Sequence, residues 1–232
     1  MSAIHPALSN AFPPLFARFG RTLGLPCADA TPLPDLLAGS RLPVIAARYA
    51  AAFPGAGTQA ALSLWSHYYL LALVPCATAA ALAVQRELPL ALGGMSVVLT
   101  DEGHPCQLCL PHDGRDSAEG CPVRRLAPLL FEHLVPLCEA LAATGLSKLI
   151  FWSNAAAVLA WSLDVVSGPA AERAALRASM SASEWVDGVP NPFRPVIGSD
   201  PSERRICCLR FRLQQPCPGC PKAGGCKGRT IR

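Results

Sequence analysis

A long stretch without charge constrains the fold of this chain more than any other feature. Between Arg48 and Arg86 no side chain is formally charged, and alanine and leucine dominate the segment. Residues 60–84 are long enough to cross a bilayer as a helix. Pro75 and several polar side chains interrupt them, however, and alanine partitions weakly into lipid. We therefore expect a helix that is buried in a globular core and kinked or broken at Pro75, rather than a membrane span.

The remaining sequence also favours helices over sheets. Hydrophobic residues make up 51% of the 232 residues and charged residues 16%, which predicts a folded chain with a sizeable core. We expect one strand at 96–100 and a loop at 101–122. Further helices are expected near Pro34, from about Pro43, at 122–145, at 147–168 with Ser147 as N-cap and Gly168 as stop, and at 169–181.

These elements predict a mainly α (α+β) fold with two parts. Residues 1–200 are expected to form a helical body with a small β element. Residues 201–232 are expected to form a cysteine-rich C-terminal segment. The amino terminus has no basic region ahead of a continuous apolar stretch, so we expect no signal peptide and a cytoplasmic protein. In that reducing compartment, the 11 cysteines suggest metal binding or redox chemistry more than a disulfide framework.

The C-terminal segment "RRICCLRFRLQQPCPGCP" holds an adjacent pair of cysteines, Cys207 and Cys208, followed by Cys217 and Cys220 two residues apart. A Cys-x-x-Cys motif in a proline-rich turn directs two sulfurs at one metal atom, as in both zinc and iron–sulfur sites. "ICCLRFRL" alternates with period two, which predicts a half-buried strand. In a regular strand the adjacent pair would point to opposite faces. Both sulfurs can then bind one metal site only if the backbone forms a bulge there. Alternatively, only one of the two cysteines is a ligand, and Cys226 is the fourth.

The segment is also strongly basic. Eight of the 20 basic residues and none of the 16 acidic ones follow Glu203, so the residues upstream carry a net charge of −4. A locally basic segment favours an anionic partner or a bound anionic cofactor. Nucleic acid is not expected, because Phe211 is the only aromatic residue there that can stack on a base.

A second group of cysteines lies in "HPCQLCLPHDGRDSAEGCP". Cys106, Cys109 and Cys121, with His104 and His112 nearby, have the spacing of metal ligands. The group is interpreted either as a second metal site or redox pair, or as a loop with incidental cysteines. The other upstream cysteines, Cys27, Cys76 and Cys138, lie in apolar surroundings and are expected to be buried.

Two further sets of residues have alternative interpretations. Trp65, His67 and Tyr69 line either a pocket or the core, and Asn154 either contacts a ligand or is a satisfied core amide. No phosphate-binding glycine loop and no dinucleotide fingerprint occurs, so electrons are not expected from a nicotinamide bound in a Rossmann fold.

The cysteine pattern resembles that of FhuF-type ferric-siderophore reductases. Vicinal cysteines followed by Cys-x-x-Cys near the carboxyl end are the signature of that family, and "LWSHYYL", "FWSNAAAVLAW" and "VPNPFRP" are similar to its helical body. The spacer between Cys208 and Cys217, eight residues, is shorter than usual there. The resemblance implies a 2Fe–2S cluster held by Cys207, Cys208, Cys217 and Cys220.

It also implies a one-electron reductase of ferric siderophores, of hydroxamate type, that releases ferrous iron in the cytoplasm. A ferredoxin-like protein or a flavin reductase would supply the electrons, and a peripheral contact with the inner face of the membrane is left open. The alternative is a zinc-stabilised module whose basic tail binds nucleic acid or an acidic protein.

Overall fold

Two long apolar helices form the centre of the molecule in the computed structural model, which describes residues 6–201 and 203–213. Helix α4 (Thr58–Ala79) packs along helix α7 (Lys148–Val165), and both are buried on almost every side. A helix with apolar residues around its whole circumference is stable only inside a core. The fully buried aromatic side chains include Trp65 and Tyr69 of α4 and Phe151 of α7.

Within the described residues, six shorter α-helices surround this pair, and a small sheet covers one side. The helices are α1 (Pro6–Asn10), α2 (Leu33–Leu37), α3 (Arg41–Ala51), α5 (Pro122–Arg125), α6 (Val135–Ala143) and α8 (Ala170–Ser181). The strands are β1 (Leu23–Gly24), β2 (Thr31–Pro32), β3 (Arg86–Glu87), β4 (Ser96–Leu99), β5 (Pro105–Cys109) and β6 (Arg115–Asp116). The prediction of a mainly α fold with a small β element is confirmed.

Of the two outcomes expected at Pro75, a kink or a break, the break is wrong. Helix α4 runs through this proline as regular α-helix to Ala79 and then widens into a π-helical turn at Ala80–Val84. The turn ends at Gln85, whose φ of 52° reverses the chain. Burial on all sides of α4 offsets the hydrogen bond that Pro75 cannot donate.

The segment expected as one helix over 122–145 is divided. A π-helical turn at Leu129–Leu134 lies between α5 and α6, next to Pro128. Proline lacks the backbone N–H of a regular helical turn, which explains the change of pitch. Gly145, with φ of 101°, follows the end of α6. Ser147 does precede α7, but its side chain makes no capping hydrogen bond.

The four-stranded sheet has the order β1-β5-β4-β2, with β1 parallel to β5 and the other neighbours antiparallel. Strands β3 and β6 pair antiparallel in a separate two-stranded sheet. The strand expected at 96–100 is confirmed as β4. The loop expected at 101–122 is not, because it contains β5 and β6. Strand β5 pairs with β1 on one side and with β4 on the other. This pairing involves segments distant in sequence, so the proline- and cysteine-rich sequence of β5 does not by itself predict a strand.

Among the residues that the structure describes, two helical stretches are long and apolar enough to cross a membrane. These are Thr58–Val84 and Pro122–Ala143. The most apolar 18-residue window of the first is 72% buried inside the molecule, and that of the second is 44% buried. The first is the core helix just described, as expected. Core helices of globular proteins pass the same test of length and hydropathy.

Candidate functional site

The adjacent cysteines lie against the two central helices. Cys207 is half-buried and Cys208 is 2% exposed. The hydroxyl of Ser63 on α4 donates to the carbonyl of Cys208 (2.7 Å), and the hydroxyl of Ser153 on α7 donates to the carbonyl of Ile206 (2.9 Å). One hydrogen bond from each central helix therefore fixes the backbone on either side of Cys207.

The strand expected for "ICCLRFRL" is wrong, and its absence changes the geometry of the cysteine pair. Leu209 adopts a left-handed conformation, with φ of 60°, and a 3-10 turn follows at Arg210–Leu213. The backbone N–H of Leu209 donates to Cys207 Sγ (3.4 Å). Because the chain bends here, the opposite-face argument for two adjacent strand residues does not apply.

Buried polar side chains connect this bend to the helices. The Asn154 side-chain amide donates to the carbonyl of Ser63 (3.0 Å) and to the hydroxyls of Ser63 and Ser66. Arg204 donates to Asn154 Oδ1 (2.8 Å) and to Ser153 Oγ (3.1 Å), and is itself only 7% exposed. Asn154 is thus a satisfied core amide, one of the two interpretations of the sequence. It positions the segment that carries the cysteines.

Three buried polar atoms near the bend have no hydrogen-bond partner within the described part of the chain. They are Tyr49 Oη, His67 Nδ1 and Arg210 Nε. His67 lies one helical turn after Ser63 on the same face of α4, and Arg210 Nη1 contacts His67 Nε2 at 3.2 Å. The charge of Arg210 acts on both Tyr49 and His67, so the three groups are neighbours.

The protonation of these groups follows from their surroundings. Burial, with the positive charges of Arg210 and Arg204, lowers the pKa of His67 to about 3, so the ring is neutral near pH 7. A guanidinium only donates, hence Nε2 accepts from Arg210 and Nδ1 carries the hydrogen. Burial also raises the pKa of Tyr49 well above its usual value, so its hydroxyl keeps its proton.

Three buried donors that lack an acceptor among the described residues suit an electron-rich, negatively charged group. Buried donors are rarely left unpaired, and an ion or cofactor often explains those that are. Thiolate–metal centres carry net negative charge and accept such hydrogen bonds on sulfur. The residues around Cys207 and Cys208 therefore fit a cluster of this kind. The other two expected ligands, Cys217 and Cys220, and the alternative Cys226 lie outside the described residues.

The second cysteine group is not gathered into a metal site by the described residues, which contain no group of three or more His, Cys, Asp or Glu side chains able to hold a metal ion. Cys106 and Cys109 both belong to β5, whereas Cys121 precedes α5. His104 instead packs edge-on against Tyr49, with ring centroids 4.6 Å apart. The second-site interpretation gains no support here.

The structure separates the remaining candidates. Trp65 and Tyr69 belong to the core. The indole N–H of Trp65 donates to the carbonyl of Gly103, and the hydroxyl of Tyr69 donates to the ring of His133. Cys76 and Cys138 are buried as expected, but the expectation for Cys27 is wrong, because it is exposed. Sequence reasoning missed Ser63, Ser153 and Arg204. Their only local signal is polarity within otherwise apolar stretches.

A cavity of about 700 Å³ lies at the other end of α4, beyond the π-helical turn. Its walls include Glu87, Leu88, Arg124, Phe131 and Asp187. Its lining residues do not include Ser63, His67, Ser153 or Arg204, which surround the cysteine pair. The cavity is therefore not part of the cysteine site.

Comparison with known proteins points in the same direction as the site. A family model described as "Ferric iron reductase FhuF-like transporter" matches residues 63–203, more than half of the chain. The protein named ferric siderophore reductase of Escherichia coli (strain K12) is 27% identical over 168 residues, which cover 68% of this chain and 64% of that relative. The aligned region is thus slightly less than two thirds of the relative's length. The matched residues include all of α7, α4 from Ser63 onward and the polar side chains between the two helices, and the chain belongs to this FhuF-like family.

Proposed function

We propose that this protein reduces ferric iron carried by a siderophore, one electron at a time, and so releases ferrous iron. The similar protein from Escherichia coli is named for that activity. The observation that carries the proposal is the position of Cys207 and Cys208. They are fixed against both central helices, near three buried donors that have no acceptor among the described residues. A hydroxamate siderophore is the proposed substrate class, and the cytoplasm the proposed site of release.

The proposed ligands of a 2Fe–2S cluster are Cys207, Cys208, Cys217 and Cys220. When bound, such a cluster supplies one-electron reduction. The N–H of Leu209 donates to Cys207 Sγ. Arg210 adds a donor and a positive charge nearby, and the neutral His67 adds a further donor. Hydrogen bonds and positive charge near the sulfurs stabilise the more negative reduced state and raise the reduction potential. These residues therefore make the site easier to reduce by a ferredoxin-like protein or a flavin reductase.

Release of the metal needs no general acid or base. Ferric iron is a hard ion that hydroxamate oxygens bind tightly, whereas ferrous iron has a lower charge and is bound far more weakly. The exposed basic side chains Arg205 and Arg212 are well placed to attract an anionic donor protein or an anionic ferric siderophore. The role of the chain is then to hold the redox centre and to bring these partners close to it.

Metal analysis tests the cofactor. Protein purified without oxygen is expected to be red-brown, to contain two iron and two acid-labile sulfide per chain, and to give an electron paramagnetic resonance signal after dithionite. Cys208→Ser should lose most of the iron, whereas Cys138→Ser, at a buried cysteine of α6, should keep it. A colourless protein with zinc and without iron would instead support the zinc-stabilised binding module.

Single-turnover kinetics tests the reaction. Dithionite-reduced and desalted protein is mixed with a ferric trihydroxamate in the presence of a ferrous-specific chromogenic chelator. About one ferrous ion per chain is expected, together with reoxidation of the visible spectrum. Reoxidation without ferrous product, or no reaction with a fully loaded protein, would contradict the proposal.

A further inference from the structure

A second group of thiols lies on the sheet, away from the C-terminal motif. Strands β1 and β5 are parallel neighbours, with Gly24 opposite Cys109, and the N–H of Leu110 donates to the carbonyl of Gly24 (2.8 Å). Just after β1 the chain makes a turn in which the N–H of Ala30 donates to the carbonyl of Cys27 (3.1 Å). Cys27 follows Gly24 by only three residues, so the pairing of β1 with β5 holds it near the Cys109 end of β5.

The thiols of Cys27 and Cys109 are in direct interaction. Cys27 lies close enough to Cys109 for both its side chain and its backbone to affect the pKa of the Cys109 thiol, and Cys106 acts electrostatically on the same thiol. All three are free cysteines. Cys27 and Cys106 are exposed to solvent, whereas Cys109 is 1% exposed. An exposed thiol and a buried thiol thus meet at one point of the surface.

Cys106 and Cys109 are poorly placed to pair with each other. They are three residues apart in one extended strand, so their side chains point to opposite faces and their Cα atoms are about 10 Å apart. A disulfide requires a Cα separation of roughly 4.4–6.8 Å. The Cys106 thiol is also engaged, because it donates to the carbonyl of Val98 (3.3 Å). Cys27 is therefore the partner within reach of Cys109.

We propose that Cys27 and Cys109 form a redox-active dithiol, which a low-molecular-weight disulfide of the glutathione type oxidises to an intramolecular disulfide. The exposed Cys27 first attacks the small disulfide, which forms a mixed disulfide and releases one thiol. Cys109 then attacks the Cys27 sulfur and releases the second thiol. In total the protein gives up two electrons and two protons, and one small disulfide becomes two thiols.

The order of the two steps follows from the environments of the sulfurs. Burial and the neighbouring cysteines raise the pKa of Cys109 to about 11, so it stays a thiol at neutral pH and is a poor first nucleophile. Its burial also excludes a bulky disulfide from direct attack. Once Cys27 carries the small thiol, Cys109 is already adjacent, and the second step is intramolecular. This assignment does not depend on the cofactor or the substrate proposed above.

Peptide mapping of the full-length protein tests the proposal. Reduced protein is equilibrated with mixtures of oxidised and reduced glutathione, free thiols are alkylated in acid-quenched samples, and the chain is cut with trypsin. Cleavage after arginine gives peptide 22–41, with Cys27, and peptide 87–115, with Cys106 and Cys109. The expected product joins these two peptides, and reduction with dithiothreitol separates them again.

Three variants make the assignment specific. The joined peptides should decrease at least tenfold in Cys27→Ser and in Cys109→Ser, but should persist in Cys106→Ser. Only glutathione adducts, or a disulfide confined to peptide 87–115, would overturn the proposal. Iron content and the visible spectrum serve as a separate readout: Cys27→Ser should leave both unchanged, so a failed disulfide and a failed cluster assignment give different results.

Discussion

Asn154 shows how a single residue positions the candidate site. Its amide donates to Ser63 and Ser66 on α4, and its carbonyl oxygen accepts from Arg204. All of these side chains are buried. If one partner is removed, a buried polar atom is left without a hydrogen bond, and this lowers the free energy of unfolding. The same side chain therefore links the packing of the two central helices to the segment that carries the cysteines.

We predict that Asn154→Ala lowers the free energy of unfolding by about 2–4 kcal/mol, because it leaves a buried guanidinium and two hydroxyls short of partners. Ser162→Ala is the matched control. Ser162 is equally buried on α7, but its hydroxyl bonds only to the carbonyl of Val158, so the cost should be below about 1 kcal/mol. Urea denaturation measures both, and equal costs would contradict the role given to Asn154.

The buried His133 predicts a pH dependence of stability. Its Nδ1–H donates to the carbonyl of Leu90, Nε2 accepts from Tyr69, and burial lowers its pKa to about 4. Between that value and the unfolded pKa of about 6.5, only the unfolded chain binds the proton. Stability is therefore fully present above about pH 6.5 and falls as the pH drops, by at most about 1.4 kcal/mol per pH unit from this residue.

Denaturation of the wild type and of His133→Gln between pH 4.5 and 7 checks this slope. Glutamine can replace both hydrogen bonds but does not titrate, so the variant should lose part of the slope. The pKa of His67 is also lowered, so the part of the slope that His67 contributes should be present in both proteins. Identical slopes would show that His133 is not the titrating group.

At the scale of elements, the bend at 206–213 is where sequence and structure differ most. Alternating polarity predicted a strand, but hydrogen bonds from Ser63 and Ser153 hold the backbone in a turn instead. These partners are 145 and 53 residues away in sequence, so no local window contains them. The long helix α4 was predictable for the opposite reason, since its uninterrupted apolar composition is a local property.

The left-handed conformation of Leu209 gives a prediction for this element. A β-branched residue tolerates a positive φ worse than leucine does, whereas asparagine tolerates it well. Leu209→Val should therefore reduce the iron bound per chain several-fold, and Leu209→Asn should reduce it much less, although asparagine is the poorer match for the apolar surroundings. Iron and sulfide analysis of the two variants, purified in parallel, shows whether iron binding depends on the backbone conformation at residue 209 or on the packing of its side chain.

At the scale of the whole molecule, the attraction of a charged partner depends more on how charge is distributed along the chain than on the net charge of +4. The residues upstream of Arg204 carry −4, and the C-terminal segment carries all of the excess positive charge. An acidic electron donor, as proposed above, would be attracted to the basic side chains beside the cysteine pair, and such steering weakens as salt screens it. Arg212 is an exposed member of the basic group and lies over the ring of Phe211 (5.9 Å).

We predict that Arg212→Gln lowers the second-order rate constant for reduction by a reduced ferredoxin several-fold at 50 mM salt, with a smaller effect at about 300 mM. The matched control is Arg18→Gln, because Arg18 is also exposed and lies over a ring, that of Phe19 (5.0 Å). Stopped-flow spectroscopy measures both. Equal losses, or a rate that does not change with salt, would contradict steering by the basic segment.

The sequence by itself determined the helical class, the buried central helix, the strand at Ser96–Leu99, the uneven charge and the likeness to FhuF-type reductases. Each of these depends on composition or on a motif that is contiguous in the chain. Only the tertiary structure decided the bend at Cys207 and Cys208, the donors that meet there, and the pairing of Cys27 with Cys109. Those features depend on contacts between segments far apart in sequence, which form because burying the central helices brings their few polar side chains together.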